Sequence, residues 1–139
     1  MRGILGPLCE RAPASIHVAN RTPERAQDLV ALFDDRASLT AGSLMAIPDR
    51  EWNVVINGVS SGWAGDFPNL NIPTISSTAS AYDLLYGDKP TTFMTWAAAR
   101  GFQLVTDGLG MLVEQAADSY QIWNGERPQT SLVLAMLRP

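Results

Sequence analysis

The sequence predicts an α/β fold with a doubly wound parallel sheet and C-terminal helices. Short apolar strands alternate with segments of helical spacing from SIHVAN to FQLVT, a pattern typical of parallel strands joined by crossover helices. The run Val54 to Ile56 is unbroken, as expected of a parallel strand that is covered on both faces. Two further helices are predicted after the last strand, and they complete the chain.

The first half of the chain predicts a helix, a strand and a second helix. RGILGPLCE has apolar residues at helical spacing but no N-terminal cap, and SIHVAN alternates as a short strand does. Thr22 is placed to cap the next helix, with Pro23 at its first position, where the missing N–H costs nothing. One buried stripe is predicted for this helix, consisting of Ala26, Leu29, Val30 and Phe33.

The second half predicts three strands and three helices. NVVING, SAYDLLYG and FQLVT are the strands, and PNLNIPTISST is interpreted as a connection. TTFMTWAAARG predicts a helix that is closed by Gly101, and SLVLAML predicts a short last helix. The clearest helix follows TDG and stops at Gly125. We expect it to be packed along a seam of Leu109, Leu112, Ala116, Tyr120 and Trp123.

Composition excludes several classes of function. A formal net charge of −4 with no dense basic run argues against binding to nucleic acid or to an anionic membrane. No apolar run approaches the about 20 residues of a membrane span, and the N-terminal residues do not resemble a signal peptide. The lone Cys9 is expected to be buried and suits a reducing cytoplasm. His17, with apolar neighbours, is interpreted as a strand residue satisfied by a backbone contact.

The stretch NRTPER places two arginines at the junction of a strand and a helix. In dinucleotide-binding folds an acidic residue at this strand end binds the ribose 2′-hydroxyl, whereas a 2′-phosphate requires positive charge. Arg21 and Arg25 could flank such a phosphate, and Thr22 offers a hydroxyl beside the free N–H groups of the helix. The stretch is equally typical of a helix start with solvated arginines. It favours NADP over NAD if the fold is correct.

Three other strand ends carry polar or small residues. Asn57 and Ser60, in INGVSSG, could hold the edge of a ligand or form a plain turn. In TDGLGMLVEQ, one helical face holds Gly108, Met111 and Gln115, that is, a bare backbone, a flexible apolar group and an amide. This face could bind a ligand or could be the edge of the core with a solvated glutamine. Tyr86 could reach a ligand or simply pack. Asp107 is placed to cap the helix, and Glu114 and Asp118 are interpreted as a solvated face.

Together these segments resemble the C-terminal part of shikimate dehydrogenase. ANRTPERA is similar to the basic NADP motif of that family, NVVINGVSSG to its nicotinamide-side strand, and YDLLYGDKPTTF and DGLGMLVEQAADSYQIWNG to its closing segments. The resemblance implies reversible hydride transfer between NADPH and 3-dehydroshikimate, which gives shikimate. It implies a 2′-phosphate site of Asn20, Arg21, Thr22 and Arg25, a nicotinamide side of Asn57, Ser60, Leu84, Gly108 and Met111, and shikimate contacts from Tyr86 and Gln115.

The resemblance also implies that parts of the enzyme are missing from these residues. The family's catalytic lysine and aspartate lie in an N-terminal substrate domain, and its glycine-rich loop precedes the helix that matches RGILGPLCE. Residues 1–139 are therefore expected to form a partial, Rossmann-like NADP-binding domain that has lost a central strand and is inactive alone. Helices in 108–139 are expected to pack toward the substrate domain. A homo-oligomer or a complementing N-terminal chain could cover the exposed strand edges.

Two departures from the family pattern are mild. Val59 stands where the family commonly has Thr, and Leu84 where it commonly has Met. A second interpretation is a non-catalytic NADP-binding or assembly remnant of the family. A third, less well supported, is the NADP domain of a glutamyl-tRNA reductase. That family shares ANRTPERA but lacks a counterpart of DGLGMLVEQA. Whether shikimate or quinate is preferred is not encoded in these residues.

Overall fold

A computed structural model of the chain describes residues 2–33, 38–59 and 70–137. The helices in these ranges are α1 (Arg2–Glu10), α2 (Pro23–Ala31), α3 (Thr92–Ala99), α4 (Leu109–Asn124) and α5 (Thr130–Leu137). The strands are β1 (Ile16–Asn20), β2 (Leu39–Ser43), β3 (Glu51–Asn57), β4 (Thr74–Asp83) and β5 (Leu104–Thr106). The alternation of helices and strands confirms the predicted α/β class. No helix in the described ranges has the length and apolar character required to cross a membrane.

The described strands form two separate sheets. β1 and β2 pair in parallel, with Ile16 opposite Leu39 and Asn20 opposite Ser43. The second sheet has the order β3-β4-β5, and β4 and β5 are parallel. The chain divides into two compact units, Met1–Trp52 with Pro68–Ser76, and Asn53–Phe67 with Ser77–Pro139. Each sheet is open, so a doubly wound sheet is incomplete in these residues, as the sequence predicts.

The core of the first unit lies between α1, α2 and the parallel pair. Leu5 and Cys9 of α1, Val18 of β1 and Ala26 of α2 are buried together, which confirms the buried position predicted for Cys9. The other residues of the predicted stripe, Leu29, Val30 and Phe33, are partly buried against this cluster. Ile16, Leu39 and Ala41 of the two strands pack against it as well. Thr22 occupies the predicted N-cap position, with proline in the first turn, although its side chain makes no capping hydrogen bond.

His17 lies on β1 and is held by side chains, not by the backbone contact that the sequence suggested. Its Nδ1 is 2.9 Å from Thr40 Oγ1, and its ring lies beside Trp52 with centroids 6.2 Å apart. Its Nε2 is buried and has no hydrogen-bond partner among the described residues. Burial, and then the positive charge of Arg50, lower the pKa of His17 because both disfavour the imidazolium.

The second unit corrects two strand predictions. β4 begins at Thr74, inside the segment that was expected to be a connection, and it ends at Asp83 and not in LLYG. Small buried residues, Ala79 and Ala81, form its inner face, and they give no large apolar run for a sequence pattern to detect. The strand ends because the Asp83 carboxylate accepts a hydrogen bond from the N–H of Leu85, which turns the backbone.

Two predictions of burial are also wrong. Val54 of β3 is 55% exposed, so the VVI run is not covered on both faces. Helix α4 ends as predicted, at Gly125 with φ of 84°, but it is buried along Val113 and Ala117. Two residues of the predicted seam, Tyr120 and Trp123, are 43% and 80% exposed. The apolar residues of α4 are distributed over several of its faces. Their spacing alone therefore could not decide which face is packed.

The turn after β4 lies directly against the start of α4. The Gly108 N–H donates to the carbonyl of Leu85 at 2.9 Å. A Cβ at position 108 would lie 2.3 Å from the Leu84 carbonyl oxygen and 2.8 Å from its carbon, so the two backbones meet where only glycine fits. Position 108 requires glycine because there is no room for a side chain, and not because of its backbone conformation, since φ of Gly108 is an ordinary −80°.

An NMR titration of His17 tests the environment of this side chain. His17 is the single histidine of the sequence, so the imidazole signal is unambiguous. We expect a pKa below the ordinary value of about 6.5 in the folded chain and a return to about 6.5 in urea. Since the unfolded state then binds the proton more tightly, stability should fall as pH decreases below about 6.5. Arg50→Gln should raise the pKa of His17 in part. A folded-state pKa at or above 6.5 would contradict this description.

Replacing Gly108 by alanine tests the contact between the two backbones. We expect Gly108→Ala to lower the free energy of unfolding by about 1–3 kcal/mol, the usual range for overpacking, because neither neighbouring backbone atom can move freely. Gly110→Ala in the same helix is the matched control, since a Cβ at position 110 would meet nothing within 4 Å. This substitution should raise the free energy of unfolding by up to about 1 kcal/mol. Urea unfolding of the two variants measures both effects, and equal midpoints would refute the contact.

Candidate functional site

In the first unit, the carboxyl end of β1 turns sharply into α2. Asn20 is the last residue of β1, and its Oδ1 accepts a hydrogen bond from the N–H of Thr22 at 2.9 Å. This side-chain bond replaces a backbone turn and directs the chain into the helix. The side chain of Asn20 therefore shapes the turn, and the residues that follow it are the ones exposed to solvent.

Positive charge is concentrated at this helix start. Arg21, Thr22 and Arg25 are all exposed, and neither guanidinium forms an ion pair or hydrogen bond with another described residue. The Thr22 hydroxyl is not used for capping, and the first turn of α2 carries the positive end of the helix dipole. Glu24 is the acidic residue of that turn. The arrangement suits a compact anion such as a phosphate group.

In the second unit, the predicted residues are organised around a buried acid. The side chain of Asp83 is 0% exposed and accepts hydrogen bonds from Asn57 Nδ2 at 2.8 Å, the Leu85 N–H at 3.1 Å and Thr91 Oγ1 at 2.5 Å. Thr91 is also the N-cap of α3, where its Oγ1 accepts from the N–H of Met94. These four residues, Asn57, Asp83, Leu85 and Thr91, form the Asp83 cluster.

Sequence reasoning did not detect the Asp83 cluster. The available signal was an aspartate at a strand end followed eight residues later by a threonine at a helix start. A carboxylate at that position can accept from a turn and from a capping hydroxyl at once. The pairing with Asn57, 26 residues earlier, had no local signal.

The Asp83 cluster and the turn beside it use most of the hydrogen-bonding capacity of the Asn57 side chain. Asn57 is 6% exposed; its Nδ2 donates to Asp83, and its Oδ1 accepts from the N–H of Val59. The Leu84 N–H donates to the Asn57 carbonyl at 2.9 Å. One amide hydrogen of Asn57 has no partner in these contacts. The structure thus brings Asn57, Leu84 and Gly108 together. Ser60, predicted with them, lies outside the described residues.

The remaining predicted residues differ in exposure. Gly108 is buried at the start of α4, Met111 is half-buried one turn later, and Gln115 is exposed on the next turn. Tyr86 is 45% exposed just after the turn held by Asp83. Asp107 is buried and its Oδ1 accepts from the N–H of Leu109, which confirms its predicted role at the helix start. Met111, Gln115 and Tyr86 therefore have side chains available to a ligand.

Helices α4 and α5 enclose an apolar groove of about 300 Å³. Its lining residues are Leu112, Val113, Ala116, Ala117, Tyr120, Pro128, Gln129, Thr130 and Val133. Arg127 holds the connection between the helices by pairing with Glu114 and with Asp118, the latter at 3.0 Å. The side chains of Glu114 and Asp118 are 46% and 63% exposed, which agrees with the solvated face predicted for these two acids. The hydrogen bond from Arg127 lowers the pKa of Glu114.

The chemistry available to the described residues is binding and orientation. Within ranges 2–33, 38–59 and 70–137, no group of three His, Cys, Asp or Glu side chains could hold a metal ion. Asp83 is a buried acceptor that is already occupied by three donors. The exposed guanidiniums of the first unit are suited to holding a phosphate group. The small, apolar and amide groups of the second unit are suited, by themselves, to contacting a small ligand.

Comparisons with known proteins agree with the resemblance seen in the sequence. Residues 108–138 match the family of shikimate 5′-dehydrogenase C-terminal domains. The whole chain is 47% identical over 139 residues to the protein named shikimate dehydrogenase (NADP(+)) of Thioalkalivibrio sulfidiphilus, of which it covers 51%. The chain thus spans about half the length of the curated relatives that it matches.

Solved structures also match the fold of this chain. The structure of an Ael1 enzyme from Pseudomonas putida matches with a TM-score of 0.82 and 33% identity over 97% of this chain and 49% of that one. Shikimate 5-dehydrogenase from Thermus thermophilus, solved in complex with NADP(H) and shikimate, matches with a TM-score of 0.67 and 30% identity over 89% of this chain and 45% of that one. By sequence along its whole length and by fold, the chain is similar to about half of a shikimate dehydrogenase.

Proposed function

We propose that the chain is the C-terminal, NADP-binding part of a shikimate dehydrogenase. The observation that carries this proposal is the pair of exposed guanidiniums at the start of α2, which directly follows the carboxyl end of a parallel strand. The similarity of the whole chain to proteins named as NADP-dependent shikimate dehydrogenases supports it. The lone cysteine supports a reducing, cytoplasmic location.

The start of α2 fits the 2′-phosphate of NADP. Arg21 and Arg25 would bind the phosphate oxygens, and the Thr22 hydroxyl would add a further hydrogen bond. NAD carries a neutral ribose hydroxyl at that position and would leave both guanidiniums without a partner. Charge-assisted bonds of this kind contribute about 1.5–3 kcal/mol each, which is enough to set the preference for NADP.

The second unit would hold the nicotinamide side of the cofactor and the substrate. Asn57, Ser60, Leu84, Gly108 and Met111 would line the nicotinamide, with Gly108 keeping the turn after β4 close to α4. Tyr86 and Gln115 would contact shikimate through their exposed polar ends. When bound, NADPH supplies a hydride to the carbonyl carbon of 3-dehydroshikimate, and the carbonyl oxygen takes up a proton. The chain itself would bind and orient both molecules.

The proton-transferring residues would come from the other half of the enzyme. Lys89, the single lysine, lies in a different motif from the catalytic lysine that the resemblance implies. The exposed apolar residues of α4 and α5, among them Trp123 and Met136, each at least 80% exposed, would pack toward the substrate domain. That domain would be fused to this segment or supplied as a separate chain. The 139 residues alone would be inactive.

A non-catalytic NADP-binding or assembly role is the second candidate. The observation that favours it is the open edge of each sheet, since β1 and β3 each have one paired neighbour among the described strands. Such edges would allow another chain to add a strand. This role requires NADP binding without turnover, which separates it from the dehydrogenase by experiment.

Restoring the missing half tests the proposed activity. The part of the Thioalkalivibrio sulfidiphilus protein that this chain does not match is joined ahead of Met1 to give a hybrid enzyme. We expect the hybrid to oxidise shikimate with NADP and to reduce 3-dehydroshikimate with NADPH, measured by absorbance at the nicotinamide band. The 139-residue chain alone is the control and should show no turnover. Activity of the chain alone would contradict the proposal, and so would a folded hybrid without activity.

Removing the two guanidinium charges tests cofactor choice. We expect Arg21→Gln and Arg25→Gln in the hybrid enzyme to raise the KM for NADP by about 10- to 100-fold each, because each removes a charge-assisted bond to the phosphate. The KM for NAD should change little. Arg11→Gln, at an exposed arginine after α1, removes the same charge and should leave both values unchanged. Equal effects on NADP and NAD would refute the 2′-phosphate site.

A further inference from the structure

The Asp83 cluster joins three segments of the second unit through one carboxylate. Its donors come from the end of β3 (Asn57), the turn after β4 (Leu85) and the N-cap of α3 (Thr91). The Asp83 side chain is 0% exposed, so no solvent molecule at the surface can replace a lost donor. All three segments must therefore lie at hydrogen-bonding distance at the same time.

Three of the residues proposed to line the nicotinamide, Asn57, Leu84 and Gly108, are linked to this carboxylate through hydrogen bonds. Asn57 donates to it through Nδ2, and Leu84, which follows Asp83 in the chain, donates its N–H to the Asn57 carbonyl. Leu85 donates its N–H to Asp83 and accepts from the Gly108 N–H. A displacement of the Asp83 side chain would thus reach Asn57, Leu84 and Gly108 through one or two hydrogen bonds.

The chemistry of a carboxylate explains why an acid occupies this position. An ionised carboxylate only accepts hydrogen bonds, so each partner must present a donor to it. This fixes the Asn57 amide with Nδ2 toward Asp83 and Oδ1 toward the N–H of Val59. An asparagine at position 83 would have nearly the same shape but would offer a donor as well, so the Asn57 amide could then adopt either orientation.

We propose that Asp83 is a positioning residue for the nicotinamide side of the cofactor site, acting through the orientation of the Asn57 amide and the placement of the Leu84–Leu85 turn against Gly108. The proposal rests on the proposed function of the chain. It assigns no contact between Asp83 and either reactant. Its consequence is that hydride transfer depends on Asp83, whereas binding of the 2′-phosphate does not.

The first test uses the 139-residue chain and requires no activity. NMR detects the two side-chain amide protons of Asn57, which should exchange slowly with solvent in the natural chain because Asp83 holds the amide in a buried site. In Asp83→Asn this protection should be lost. Leu5→Ala, in the core of the first unit, is the control for general destabilisation and should leave the Asn57 amide protected. Unchanged protection in Asp83→Asn would overturn the proposal.

The second test uses the hybrid enzyme and separates positioning from stability. We expect Asp83→Asn to lower kcat by about 10- to 100-fold, the loss that a misplaced reacting group causes. The KM for NADPH should stay within about 2-fold, because this KM depends mainly on the phosphate site in the first unit. The kinetic isotope effect with NADPH deuterated at the transferred position should increase, since hydride transfer becomes the slow step. Leu5→Ala should change neither kcat nor the isotope effect.

Thr91 supplies a second variant if Asp83→Asn does not fold. Thr91→Val removes one donor to the carboxylate, and we expect a smaller fall in kcat with the same rise in the isotope effect. Thr91→Ser restores the hydroxyl and should restore both values. Unchanged kcat and isotope effect in a folded Asp83→Asn or Thr91→Val hybrid would overturn the role of Asp83 alone. A folded natural-sequence hybrid without activity would instead refute the proposed function, and the role of Asp83 with it.

Discussion

The buried carboxylate of Asp83 is the constraint on which the second unit depends. A carboxylate removed from water is costly unless donors surround it, and here the three donors come from β3, the turn after β4 and α3. Because the donors belong to separate segments, satisfying one charge fixes the relative placement of all three. The ends of two neighbouring strands and the start of a helix are thereby brought together at the edge where parallel sheets bind ligands.

The contact between Leu84 and Gly108 extends this constraint to α4. The turn that Asp83 holds meets the helix start so closely that a Cβ at position 108 would lie 2.3 Å from the Leu84 carbonyl oxygen. The direction of α4, and with it the placement of Met111 and Gln115, follows from that contact. In the proposed enzyme these residues would need such fixed supports, since small displacements of reacting groups slow hydride transfer strongly.

The first unit obtains its site by a more local route. Asn20 turns the chain by accepting a hydrogen bond from the N–H of Thr22, two residues away. Arg21 lies just before the N-cap of α2, and Arg25 lies on its first turn. All determinants lie within six consecutive residues, so the sequence predicts both the helix start and its charge. The core beneath it was also predictable in part, because the stripe of α2 and the burial of Cys9 follow from spacing and composition.

The sequence by itself determined the α/β class, the helix starts and stops at Thr22, Gly101 and Gly125, and the positive end of α2, since each depends on a few adjacent residues. Only the tertiary structure decided that Asp83 joins Asn57 to Thr91, that the strand of Thr74 runs through a segment resembling a connection, and that α4 is buried on Val113 and Ala117. The physical reason is distance along the chain. Propensity and spacing act within one or two turns, whereas the partner of a buried charge and the packed face of a helix are chosen by segments that are far apart in sequence.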